Sequence, residues 1–113
     1  MLFSIIIPAY NAASSLPETL SSIYQQTYDG YEIILINDGS ADATESVCKV
    51  FCESHNNTHY VRQNNMGVYE ARRKGAEISA GDYLVFVDAD DSLRFDTLSI
   101  PVSYTHLTLP TIR

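Results

Sequence analysis

Apolar and polar residues come along this chain in blocks rather than in strict alternation. Phe3-Ser4-Ile5-Ile6-Ile7 is a short β-rich run ended by Pro8, and a run this apolar reads as a strand buried on both faces. Ser15-Leu16-Pro17-Glu18 has the form of a capping box with proline near the first helical position. Leu16, Leu20, Ile23 and Tyr24 follow at helical spacing, which predicts a helix to about Gln26. Asp29-Gly30 is a turn, Tyr31 to Ile36 a second strand, and Asn37-Asp38-Gly39-Ser40 breaks it. Asp42 with Glu45 three residues later opens a second helix carried by Val47, Cys48 and Phe51. A weaker strand is predicted over His59 to Arg62, then a turn at Asn64-Asn65-Met66-Gly67. Val68, Ala71, Gly75 and Ile78 define a third helix, closed by Gly81. Tyr83 to Val87 is a fourth strand, running into Asp88-Ala89-Asp90-Asp91.

Strands and helices in strict succession imply βαβ units: an α/β, Rossmann-like parallel sheet of about four strands with helices on both faces. In such sheets ligands bind beyond the carboxyl ends of the strands. Pro8 to Asn11, Asn37 to Ser40 and Asp88 to Asp91 all fall there. The chain has 113 residues, so residues 1–100 are read as one unit, with 45% hydrophobic and 19% charged residues. The net charge of −7 offers no basic footprint, so nucleic acid is not an expected partner. No apolar run reaches the roughly 18 residues of a membrane span. The first apolar run lacks the basic flank and cleavage site of a secretion signal. Cys48 and Cys52 lie on one helical face and read as small buried hydrophobes of a reducing compartment.

Three carboxylates in four residues repel one another unless a cation intervenes. Hard oxygen ligands at a strand end suit Mg²⁺ or Mn²⁺, which complete their shell with substrate phosphates. A simpler role would be Asp91 as an N-cap before Ser92-Leu93. Asp38 could accept from a ribose hydroxyl or a base N–H, Gly39 permits a close approach, and Ser40 or Asp42 caps the following helix. Tyr10 could stack on a base. Neither a G-x-G-x-x-G nor a P-loop pattern occurs. Of the basic run Arg72-Arg73-Lys74, Arg72 flanks the apolar stripe and could reach the site to pair a phosphate. Two other readings stay open: a metal-dependent phosphotransferase using a D-x-D carboxylate as nucleophile, and an acidic-pocket module that only binds metal.

Taken together, Ser4 to Asn11, Asn37 to Ser40, Asn65-Met66-Gly67 with Ala71-Arg72, Gly81-Asp82-Tyr83 and Asp88 to Asp91 resemble the N-terminal half of a family 2 glycosyltransferase of GT-A fold. The resemblance covers about residues 3–98. It implies an inverting transfer of sugar from a nucleotide-diphospho-sugar donor to a saccharide or lipid-linked acceptor. Pro8, Ala9 and Tyr10 would line the nucleotide pocket and Asp38 would contact the base. Asp88 would approach the ribose or donor sugar, Asp90 would hold the Mg²⁺ or Mn²⁺, and Arg72 matches the family's Ala-Arg pair. Asp91 has no assigned role. The catalytic base would lie in the second half of the domain, outside these residues. The whole protein is expected in the cytoplasm, with peripheral association at the inner face of a membrane as the form any membrane contact would take. Residues 101–113 resemble the translation of a sequencing-library adapter and are expected to be a non-native tail.

Overall fold

The computed structural model describes residues 1–93 and 97–99. Its elements run β1 (Phe3–Ala9), α1 (Leu16–Tyr24), β2 (Tyr31–Asp38), α2 (Thr44–Ser54), β3 (Thr58–Gln63), α3 (Val68–Ile78) and β4 (Tyr83–Phe86), with a single 3-10 turn at Thr97–Ser99. The stretch expected to be a non-native tail, 101–113, lies outside the described residues. The four strands form one sheet in the order β3-β2-β1-β4, and every pairing is parallel.

Both faces of this sheet are covered, as its continuous apolar runs require. On one face Phe3, Ile5, Ile7, Ile33, Leu35 and Val85 pack against Leu16, Leu20 and Ile23 of α1 and Cys48 of α2. On the other, Ile6, Ile34 and Ile36 pack against Ala71 of α3. Every residue of β1 is buried. Each such Ile or Leu is worth roughly 1.5–3 kcal/mol relative to exposure, so the central strands hold the helices in place and leave polar groups to the strand ends.

Several boundaries differ from those read off the sequence. β1 does not stop before Pro8 but continues to Ala9, with Pro8 opposite Ile36. The Val87 N–H donates to the Ile6 carbonyl (3.0 Å), so Ile6, and with it Pro8, turns its backbone toward β4. β4 has ended at Phe86, opposite Ile6, so the N–H that proline lacks has no ladder partner to lose. β2 likewise runs through Asn37 and Asp38, which pair with Arg62 and Gln63 of β3. β4 is one residue shorter than expected.

Helix ends carry further corrections. Ser15 sits at the N-cap of α1 with helical backbone angles and makes no capping bond. α2 starts at Thr44 behind Ala43, and Asp42 accepts the Thr44 N–H from one residue further out (3.0 Å). Ser79, not Gly81, ends α3. Gly81 is instead a point of close approach: its N–H donates to Ser4 Oγ (2.8 Å), and a Cβ there would lie 2.5 Å from that oxygen. Ser4 Oγ in turn donates to Glu32 Oε2 (2.6 Å), which also accepts from Ala80 N–H (2.7 Å), closing the amino end of the sheet. Val68 and Ile78, expected in the apolar stripe of α3, are exposed; only Ala71 and Gly75 are buried.

The small residues of α3 bring its axis onto β1. A Cβ on Gly75 would sit 2.4 Å from Ile6 Cγ2, in a fully buried side chain. Helix propensity favours alanine over glycine by about 0.8–1.0 kcal/mol, but overpacking a dense core typically costs ~1–3 kcal/mol. Gly75→Ala is therefore expected to lower stability by about 1 kcal/mol in urea unfolding; a gain in stability would show that α3 stands further from the sheet.

Candidate functional site

The polar clusters meet at the carboxyl end of the sheet. After β1 the chain turns through Tyr10, 53% exposed, and Asn11, a non-glycine residue at φ +49°. Four bonds stitch this strap to the β2–α2 loop. Asn11 N–H donates to Ser40 Oγ (2.9 Å), Ala41 N–H to Asn11 Oδ1 (2.8 Å), Ala12 N–H to Thr44 Oγ1 (2.8 Å) and Ala13 N–H to Asp42 Oδ2 (3.2 Å). Asp42 thus serves the neighbouring loop as well as the start of α2, whereas the Ser40 hydroxyl serves the strap. The Thr44 hydroxyl, ahead of the backbone N–H groups of Thr44 and Ala13, holds the Asp42 carboxyl below its ordinary range. The strap carrying Tyr10 is fixed by side-chain oxygens rather than by secondary structure.

Asp38, at the end of β2, is nearly buried. Its Oδ1 accepts from Gln63 Nε2 (2.9 Å) and Met66 N–H (2.8 Å), and its Oδ2 from Gly67 N–H (3.0 Å). One carboxylate therefore shapes the whole β3–α3 turn. Gly39 and Gly67 hold positive φ, +73° and +98°, and a Cβ on Gly39 would lie 2.7 Å from the Asn65 backbone nitrogen. Between the strap and this turn lies a cavity of about 280 Å³ lined by Pro8, Ala9, Tyr10, Asp38, Asn65, Gly67 and Val68. Lining this cavity is what leaves Val68 out of the core.

A second cavity of about 280 Å³ adjoins it, sharing Pro8 and Tyr10 and reaching Ser15, Asp88, Ala89 and Asp90. Asp88, Asp90 and Asp91 each place one carboxylate oxygen within 4.8 Å of the others. Pairs of like charges near this separation repel by roughly 1 kcal/mol in water and up to about 4 at a protein surface. A divalent cation would relieve that repulsion, and three carboxylate oxygens on neighbouring residues are the hard donor set Mg²⁺ or Mn²⁺ prefers. Asp91 caps no helix among the described residues; its N–H bonds back to the Asp88 carbonyl (3.0 Å). From α3, Arg72 Nη2 reaches Asp88 Oδ1 at 3.3 Å. Its Nε is the one buried side-chain polar atom without a hydrogen-bond partner among the described residues. Arg73, by contrast, is taken up by Glu70 and Glu77 on the helix surface.

The structure therefore gathers Pro8, Ala9, Tyr10 and Asp38 around one hollow and Asp88 and Asp90 around the next, with Arg72 against Asp88. Cys48 and Cys52 are free and lie away from both, and burial pushes the Cys48 thiol up to about 12. Sequence reasoning missed Gln63, the structural work of Asn11, and the hydroxyls of Ser15 and Thr19. Ser15 Oγ and Thr19 Oγ1 both donate to the Ala89 carbonyl, at 3.0 and 2.9 Å. A visible signal was present for the last pair: two hydroxyl residues four apart on a helix, one of them flanking the apolar stripe.

The model of the family "Glycosyl transferase family 2" matches residues 4–104. Glycosyltransferase GlyA of Streptococcus pneumoniae is 41% identical over 93 residues, covering 82% of this chain and 13% of that protein. Among solved structures, TarS 1-349 of S. aureus in complex with UDP-GlcNAc superposes with a TM-score of 0.85 at 25% identity, covering 94% of this chain and 31% of the other. Mannosyltransferase PcManGT from Pyrobaculum calidifontis, in complex with GDP-Man and Mn²⁺, does so with a TM-score of 0.80 at 28% identity, covering 86% of this chain and 30% of the other. The chain thus spans less than a third of each of these proteins.

The Asp38 carboxylate gives a direct check on the turn it holds. In Asp38→Asn either amide orientation sets an NH₂ against a backbone N–H, that of Met66 or that of Gly67, and neither can turn away. Leaving such a donor unmatched costs about 1–3 kcal/mol, so Asp38→Asn is expected to lose that much in chemical unfolding. A loss below about 0.5 kcal/mol, the ordinary surface range, would show that the turn does not lean on Asp38.

Proposed function

The chain belongs to glycosyl transferase family 2, and we propose that it forms the donor-binding half of an enzyme that moves a sugar from a nucleotide diphosphate to an acceptor, inverting the donor carbon. The observation that carries this reading is the shared wall: Pro8 and Tyr10 line both the hollow of Asp38 and the hollow of Asp88 and Asp90. A nucleotide laid across that wall puts its base beside Asp38 and its diphosphate beside the acidic loop.

Each residue then has a role its surroundings suit. Tyr10, largely exposed on a stitched strap, offers its ring to the base. Asp38 offers the remaining acceptor capacity of Oδ2 while its other bonds keep the pocket's far wall in place. Asp88, turned by Arg72, faces the ribose or the donor sugar. Asp90 would hold the Mg²⁺ or Mn²⁺, with Asp91 next to it. A bound divalent cation would supply charge neutralisation on the departing diphosphate. Arg72 adds a fixed positive charge on the same side. Inverting transfer also needs a base for the acceptor hydroxyl. In this reading the carboxylates of the two hollows, Asp38, Asp88 and Asp90, are taken by the base, the sugar and the metal, and the relatives extend far beyond the span matched. We therefore expect these 113 residues to bind donor and turn over little.

The acceptor we infer is a saccharide or a lipid-linked chain, met at the inner face of a membrane by a whole protein that associates peripherally. Among the described residues no helix is long and apolar enough to cross a membrane. The two alternatives raised by the acidic loop fall behind. An aspartyl nucleophile of the phosphotransferase kind is expected after the first strand, whereas these acids follow β4. A module that binds metal alone has no use for the adjoining hollow.

Calorimetric titration separates the readings. Mn²⁺ and UDP are expected to tighten each other's binding by the same factor, because coupling between two sites is reciprocal. Asp90→Ala should abolish that coupling and leave metal-free stability within about 0.5 kcal/mol of the parent. Metal binding indifferent to UDP would favour the acidic module, and a large metal-free loss would make Asp90 a structural residue.

A further inference from the structure

The acidic loop is held by more than its own turn. Ser15, Thr19, Ser22 and Gln26 recur at intervals of four, three and four residues; Thr19 and Ser22 share one face of α1, Ser15 is its N-cap and Gln26 lies just past its end. Each is bonded to the backbone of the segment that follows β4. Ser15 Oγ and Thr19 Oγ1 donate to the Ala89 carbonyl, Leu93 N–H donates to Ser22 Oγ (3.1 Å), and Leu98 N–H donates to Gln26 Oε1 (3.1 Å). Thr19 is 1% exposed, so its hydroxyl must be satisfied inside the protein.

We propose that Ser15 and Thr19 are positioning residues for Asp88 and Asp90: their two hydroxyls lock the carbonyl of the intervening Ala89 and so fix the directions in which the flanking carboxylates project. This rests on the donor-site reading above. A carbonyl oxygen has two lone pairs, and both are taken here. With both occupied, the Ala89 carbonyl has no lone pair left for a cation, which leaves that role to the flanking carboxylates. The mutual repulsion of Asp88, Asp90 and Asp91 would otherwise spread the loop, and α1, anchored in the core by Leu16, Leu20 and Ile23, provides the rigid body that resists it. Ser15 also lines the acidic hollow itself, so one edge of that hollow is built from the clamp.

The test uses the full chain and Mn²⁺ as the probe, with and without UDP. Thr19→Val keeps the shape and removes the hydroxyl; Ser15→Ala removes the other at a half-buried site where little packing is lost. Outer-shell partners of metal ligands are typically worth about 10–100-fold in affinity. The double variant is expected to weaken Mn²⁺ binding by that factor, each single variant by less, and Thr19→Ser to return it to within about threefold of the parent. Backbone amide exchange at Asp88 to Asp91 in metal-free protein should speed up in the double variant and not in Thr19→Ser. Should the double variant fail to fold, Ser15→Ala alone carries the test, with a loss in the same direction required. Parent-like Mn²⁺ affinity in the variants, or Thr19→Ser as weak as Thr19→Val, overturns the clamp while leaving the donor site standing. Failure of the parent chain to bind Mn²⁺ in the presence of UDP overturns the donor-site reading itself.

Discussion

The two central strands of a parallel sheet covered on both faces meet water only at their ends, and this constraint governs the rest of the molecule. β1 is buried along its whole length and β2 nearly so, which forces polar side chains to the rims. At the amino rim they close the fold: Ser4, Glu32 and the backbone of Ala80 and Gly81 satisfy one another. At the carboxyl rim they build hollows instead. There the loops contain little regular structure, so their N–H groups depend on side-chain oxygens of neighbouring loops. Asn11, Ser40, Asp42 and Thr44 serve the first two loops, and Asp38 serves the third.

The acidic loop sets repulsion against fixation. Three carboxylates within 4.8 Å of one another would separate if free. Arg72 offsets part of the charge from α3, across the sheet, while α1 grips the backbone from the opposite face. A partly exposed ion pair contributes little on its own, typically under 1 kcal/mol. Arg72 matters more for where it points Asp88 than for stability. A loop braced from both faces has less freedom to lose, which lowers the ordering cost of binding.

Much of this was legible in the residues themselves. Block-wise apolar runs separated by helical periods required a buried parallel sheet, and the polar clusters could only fall at its carboxyl rim. Element ends were less legible, because they depend on neighbours. Pro8 stays in β1 only because β4 stops at Phe86, and Asn37 and Asp38 stay in β2 because β3 extends beside them. Gly81 looked like a helix stop, yet its reason is contact with Ser4, seventy-seven residues away in sequence. Ser15 looked like a cap, and its hydroxyl was drawn to Ala89 by the packing of α1 against the loop after β4. The spacing of Ser15 and Thr19 hints at a shared partner, but no periodicity names that partner. The family resemblance gives roles for Asp38 and Asp90, yet Asp38 is also a structural residue holding the β3–α3 turn.

Paramagnetic broadening by Mn²⁺ in an amide-resolved spectrum, recorded with UDP present, tests whether one cation site after β4 opens onto a nucleotide hollow beside β1. The amides of Asp88 to Asp91 are expected to fade first, then those of Ala9 to Asn11, with UDP sharpening this pattern and shifting Asn65 and Gly67. Broadening centred elsewhere, for instance at the hollow between Glu53 and His59, or unaffected by UDP, would contradict it.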